Sequence, residues 1–65
     1  MKIYLNGEKI ETTSTNVEQL IIEKGFDPSG LIVEKNLEIV KKEDWLKTKL
    51  KHDDKIEFVT FVGGG

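Results

Sequence analysis

The stretch Lys2-Ile3-Tyr4-Leu5-Asn6-Gly7-Glu8-Lys9-Ile10-Glu11-Thr12, followed by Asn16-Val17-Glu18-Gln19-Leu20-Ile21-Ile22-Glu23-Lys24-Gly25, decides the fold because its rhythm changes halfway. Lys2 to Leu5 alternates polar and apolar residues, the period of a strand with one buried face. Asn6-Gly7 interrupts that alternation with two residues that tolerate positive φ, as a two-residue hairpin turn requires. Residues 8–12 are therefore expected to return as the second strand, with Ile10 facing the core. From Asn16 onward the period is helical. Val17, Leu20, Ile21 and Lys24 share one face of a helix predicted over 17–24. Asn16 is the expected N-cap, with Gln19 three residues on, Ser14 and Thr15 as rivals, and Gly25 as the natural stop.

Further along, Phe26-Asp27-Pro28-Ser29-Gly30 reads as a loop, since Pro28 and Gly30 both break regular structure. Leu31 to Lys35 reads as a strand, Asn36 as a turn and Glu38-Ile39-Val40 as a short strand. A single helical turn is predicted over 42–46, with Trp45 packing the bottom of the core. Asp53-Asp54 is a turn, and Lys55 to Val62 is the last strand. A β-β-α-β-β-β order with one crossing helix suits a mixed sheet whose first and last strands lie parallel at its centre. The expected fold class is therefore α+β, a ubiquitin-like β-grasp. Residues 1–62 would form the single domain, and 63–65 a flexible tail.

Composition limits what such a domain can do. A chain of 65 residues buries only about 60% of the surface its unfolded form exposes, so its core is thin. Hydrophobic residues make up 37% and charged residues 34%, enough apolar material for one core and too much for a disordered segment. A cofactor cleft would consume most of that core, which points to action through a surface or an end. With no cysteine, neither a disulfide nor a thiol nucleophile or ligand is available. No apolar run reaches signal-peptide or membrane-span length, so a cytoplasmic protein is expected. Residues 41–55 carry six lysines against four acids, but there is no arginine, and Asp53 and Asp54 interrupt the run. That is a solvated lysine face rather than a nucleic-acid footprint. His52 is expected to be a bystander, and no catalytic or metal-ligating residues are assigned.

The chemistry concentrates at the end, Phe61-Val62-Gly63-Gly64-Gly65. Glycine loses the most entropy on folding, so a run of it after a strong strand does not stabilise the domain. It makes a thin thread, free of side chains, ending in a carboxylate that can enter a narrow channel of another protein. A carboxylate is inert toward nucleophiles at neutral pH, but adenylation makes it a mixed anhydride, and a sulfur nucleophile then converts it to a thiocarboxylate. By itself the run also reads as a linker or a frayed end. Strand alternation adds a surface at its root. If Ile56 and Phe58 face the helix, then Val59 and Phe61 face away from it, and Tyr4 on the first strand faces the same way. Tyr4, Val59 and Phe61 are thus expected to form an exposed apolar partner-binding patch.

Over its whole length the chain resembles the ThiS family of sulfur carriers in thiamin thiazole synthesis. The resemblance rests on Ile3-Tyr4-Leu5-Asn6-Gly7-Glu8, on Asn16-Val17-Glu18-Gln19-Leu20-Ile21 and on Asn36-Leu37-Glu38-Ile39-Val40. It continues through Lys41-Lys42-Glu43-Asp44-Trp45, Asp54-Lys55-Ile56-Glu57-Phe58-Val59 and Val62-Gly63-Gly64-Gly65. The chain departs from the family pattern at Lys41 and Lys42, where proline and arginine are often found, and at Asp53-Asp54, where Gly-Asp is usual. The resemblance implies a carrier that is not itself an enzyme. Gly65 would be adenylated by a ThiF-like adenylyltransferase, sulfurated from a sulfur-donor protein, and then used by a thiazole synthase. ATP and magnesium would belong to the adenylating partner, with no cofactor bound by this chain. A molybdopterin-synthase-type carrier, a ubiquitin-like modifier joined to lysines and an interaction module with an inert tail remain open alternatives.

Overall fold

A computed structural model describes residues 1–61 of the chain. Two hairpins flank one helix: β1 (Lys2–Leu5), β2 (Glu8–Glu11), α1 (Val17–Lys24), β3 (Leu31–Lys35), β4 (Glu38–Val40) and β5 (Lys55–Thr60), with a 3₁₀ turn over Lys42–Asp44. The five strands form one sheet in the order β2-β1-β5-β3-β4. The central pair β1 and β5 is parallel, and the other neighbours are antiparallel. This is the mixed, single-helix β-grasp arrangement that the sequence predicts. No helix among the described residues is long and apolar enough to cross a membrane.

Local chemistry explains where the elements begin and end. Asn6 (φ 51°) and Gly7 (φ 82°) both take the left-handed conformation of a tight hairpin. Asn16 caps α1, its side chain accepting the Gln19 N–H at 2.8 Å, and Gln19 reaches back to accept the Thr15 N–H at 2.8 Å. Gly25, at φ 74°, turns the chain out of the helix, and its N–H returns to the last carbonyls at Ile21 and Ile22. Asn36 (φ 53°) and Leu37 (φ 73°) make the β3–β4 turn. Leucine in that conformation is strained, and it stands almost fully exposed.

The core lies between the helix and one face of the sheet. Ile3, Val33, Ile56 and Phe58 supply the sheet side, and Val17, Leu20 and Ile21 the helix side. Each aliphatic side chain so buried contributes about 1.5–3 kcal/mol relative to exposure. Trp45 closes the bottom of the core, fully buried, its indole N–H donating to the Val40 carbonyl at 3.0 Å. Phe26 meets the Phe58 ring edge-on, with centroids 4.9 Å apart.

Three boundaries differ from the sequence reading. The second strand stops at Glu11 because Thr12 turns inward, where its hydroxyl donates to Glu23 on α1. The last strand ends at Thr60, two residues earlier than predicted, although the Phe61 N–H still reaches the Gly30 carbonyl at 2.9 Å. The helical turn predicted over 42–46 is the shorter 3₁₀ turn already described. Asp54 is also more than a turn residue. It is buried, and its carboxylate accepts from the Asn36 amide at 3.0 Å and the Lys51 N–H at 2.8 Å, tying the two loops at that end of β5 together.

Candidate functional site

Strand β5 frames the candidate site, because the C-terminal glycines follow it in sequence. Its side chains alternate in burial: Ile56 and Phe58 are in the core, whereas Lys55, Glu57 and Val59 are exposed. Phe61 continues the outward set and is 70% exposed, with Val59 at 47%. Residues 62–65, which include the predicted tail and loading site Gly63, Gly64 and Gly65, lie outside the described residues.

Pairing with β3 identifies the third member of the apolar surface. Ile32 stands directly opposite Val59 and is 40% exposed. Ile32, Val59 and Phe61 therefore form an apolar patch on the outer face, at the last described residues before the glycines. The signal for Ile32 was present in Leu31-Ile32-Val33, whose middle residue must face away from the core if its neighbours face in. Only the strand register reveals which β5 residue it meets.

The register also corrects the place of Tyr4. Tyr4 pairs with Lys55, at the opposite end of β5 from the patch. Four residues of strand, about 13 Å, separate that level from Val59. Glu34 and Glu57, directly opposite each other, lie between. Tyr4 does face outward, but it is half-buried beneath the ammonium groups of Lys9 and Lys55, each 5.7 Å from the ring centroid. Val59 and Phe61 are both exposed, and Tyr4 stands apart from them at the Lys55 level.

Two residues that the sequence reading used only as turn formers hold the root of the tail. Gly30 has φ +74°, and a β-carbon placed on it would lie 3.3 Å from the Phe61 carbonyl oxygen. Only glycine meets both demands without displacing Phe61. Asn6 serves β5 from the other side. Its backbone N–H donates to the Ile56 carbonyl at 2.9 Å, and its side-chain oxygen accepts the Phe58 N–H at 2.8 Å. No sequence period signals the second bond, since the two residues are 52 positions apart.

Among the described residues, the remaining titratable side chains do not converge on a site. His52 is exposed and faces Asp53 at 3.4 Å. Glu23 has a structural part: the Ser14 hydroxyl, at 2.6 Å, and then the Thr12 hydroxyl hold its carboxyl below the usual carboxylate range. That cluster fastens the helix to the end of β2.

The mixed five-stranded sheet with one helix, exposing Ile32, Val59 and Phe61, places the chain among the small ubiquitin-like β-grasp proteins. Comparison with known proteins narrows the class. Residues 3–65 match the model of the ThiS family, and the chain belongs to that family. It is 34% identical to the sulfur carrier protein ThiS of Bacillus subtilis, over 97% of this chain and 98% of that one. The crystal structure of the thiamine biosynthesis protein ThiS from Geobacter metallireducens superposes with a TM-score of 0.85 at 30% identity, covering all of both chains. The chain is also 42% identical, over its full length, to part of the thiazole synthase of Paramagnetospirillum magneticum, spanning only 20% of that protein's length.

Proposed function

We propose that Gly65 is where this ThiS-family sulfur carrier takes up and releases sulfur for thiamine biosynthesis. A partner enzyme transfers AMP from ATP to the terminal carboxylate, releasing pyrophosphate. A sulfide nucleophile then attacks the acyl carbon and expels AMP, leaving a thiocarboxylate whose sulfur passes to a thiazole synthase. The observation that carries this reading is the family match, which covers residues 3–65 and so includes Gly63, Gly64 and Gly65. Its support in chemistry is that the chain has no cysteine, which leaves the glycine carboxylate as the group to hold sulfur. The thiazole synthases of Paramagnetospirillum magneticum and Magnetococcus marinus each contain a region like this whole chain. That favours thiazole synthesis over molybdopterin synthesis as the destination.

In this reading the chain supplies binding and presentation, and its partners supply the catalysis. The glycines bring little side-chain surface into a channel, so affinity must come from the folded body. Among the described residues, the exposed apolar side chains of Ile32, Val59 and Phe61 can supply it. The test is to delete Gly64 and Gly65. Sulfur loading by the adenylating enzyme should be abolished, while the melting temperature stays within about 2 °C, because terminal glycines bury little. Undiminished loading of the shortened chain would refute the assignment.

A further inference from the structure

The hydrogen-bonding directions along β5 reveal an unfilled position in the sheet. Backbone groups of a strand point alternately to its two neighbours. On the β3 side, the Phe61 N–H donates to Gly30, and the Lys55 carbonyl accepts from Asn36. Residues 55, 57, 59 and 61 therefore bond toward β3, and residues 56, 58 and 60 toward β1. β1, however, ends at Leu5 and turns away at Asn6-Gly7. The Ile56 carbonyl is met by the Asn6 N–H and the Phe58 N–H by the Asn6 side chain. The β1–β5 register ends at Leu5 opposite Ile56, so β1 has no residue opposite Phe58 or Thr60, and no turn or loop among the described residues bonds the Phe58 carbonyl, the Thr60 N–H or the Thr60 carbonyl.

We propose that an extended segment of the thiazole synthase occupies the lane that β1 vacates, pairing with β5 at Phe58 and Thr60. The inference rests on the reading that Gly65 delivers its sulfur to that enzyme. An unpaired strand edge is a template for another strand, and peptides bind such edges through their main chain. The free groups span two residues, about 7 Å, enough for a short strand making three hydrogen bonds. They lie immediately before the residues that lead to Gly65, so an enzyme that encloses the tail must pass alongside them. Asn6 is then an end-stop. It satisfies the last amide that β1 cannot reach and leaves the next groups open.

Amide hydrogen exchange with and without the organism's own thiazole synthase tests the proposal. In the free chain the Thr60 amide should exchange fast, whereas Phe58 and Phe61 are protected by Asn6 and Gly30. In the complex, Thr60 should slow about tenfold or more. Thr60→Pro removes this N–H at no cost in internal hydrogen bonds and should weaken binding about tenfold or more while the domain stays folded. The same loss is expected from a synthetic chain with an ester in place of the Thr60 amide. A Thr60 amide that still exchanges fast in the complex, or an ester chain that binds normally, overturns the proposal. So does protection of Thr60 that grows with concentration of the free chain, since a second copy would then fill the lane. If the unaltered chain does not bind thiazole synthase, the destination of the sulfur is misassigned and this inference falls with it.

Discussion

The side-chain oxygen of Asn6 accepts the backbone N–H of Phe58 at 2.8 Å, so the residue that turns the first hairpin also pins the last strand. Asn6 can do both because asparagine tolerates the left-handed φ of 51° and carries a carbonyl shaped like a backbone acceptor. Replacing it separates the two tasks. Asn6→Gly keeps the turn but leaves the Phe58 N–H unpaired and should cost about 1–3 kcal/mol in urea unfolding. Asn6→Asp retains an acceptor and should lose less. Equal stability of Asn6→Gly and the unaltered protein would show that the bond contributes nothing net.

The apolar patch should act in recognition and not in folding. Phe61→Asp or Val59→Asp puts a charge where the side chain already meets water, so the domain should remain folded. Binding to the adenylating enzyme should weaken tenfold or more, roughly 1.4 kcal/mol. Ile32→Asp should behave alike, whereas Tyr4→Ser, at the far end of β5, should change binding much less. Calorimetric titration reads all four. Normal binding by folded Phe61→Asp and Val59→Asp variants would remove the patch from the account.

Acid should loosen the junction of helix and hairpin. The Ser14 and Thr12 hydroxyls favour the ionised form of Glu23 and lower its folded pKa. A lowered folded pKa gives stability that is complete above the unfolded value, about 4.3 for glutamate. It is lost as pH falls through the folded value. The melting temperature should therefore fall as pH drops below the ordinary glutamate range, and fall less steeply in Glu23→Gln. Parallel pH profiles for the two proteins would mean that Glu23 does not contribute.

Much of the fold was legible because local signals agreed with one another. Asn6-Gly7, the Asn16 cap and Gly25 each have one structural use in their setting, and the predicted helix coincides with Val17–Lys24. The outward turn of Val59 and Phe61 followed from alternation alone. What the sequence could not supply was register between distant strands. Tyr4 was placed beside Val59 because both face outward, but parallel pairing with Lys55 sets them at different heights. Leu50 was likewise missed as a core residue. Its segment has no period, and it is held by the Leu50 N–H donating to the Thr15 carbonyl at 2.9 Å, beside the start of the helix. The same blindness to long-range contacts hid the Asn6–Phe58 bond.

The most direct test of the account is the mass of the C-terminal fragment after incubation of the chain with its adenylating enzyme, ATP, magnesium and sulfide. Intact mass does not suffice, because oxidation of Met1 gives nearly the same nominal change as exchanging oxygen for sulfur. Cleavage before measurement separates the two ends. The account predicts that the fragment ending in Gly65 gains the difference between sulfur and oxygen, that the gain requires ATP, and that the N-terminal fragment is unchanged. A gain confined to the N-terminal fragment, or an unaltered C-terminal fragment with an enzyme proven active on another carrier, would contradict it.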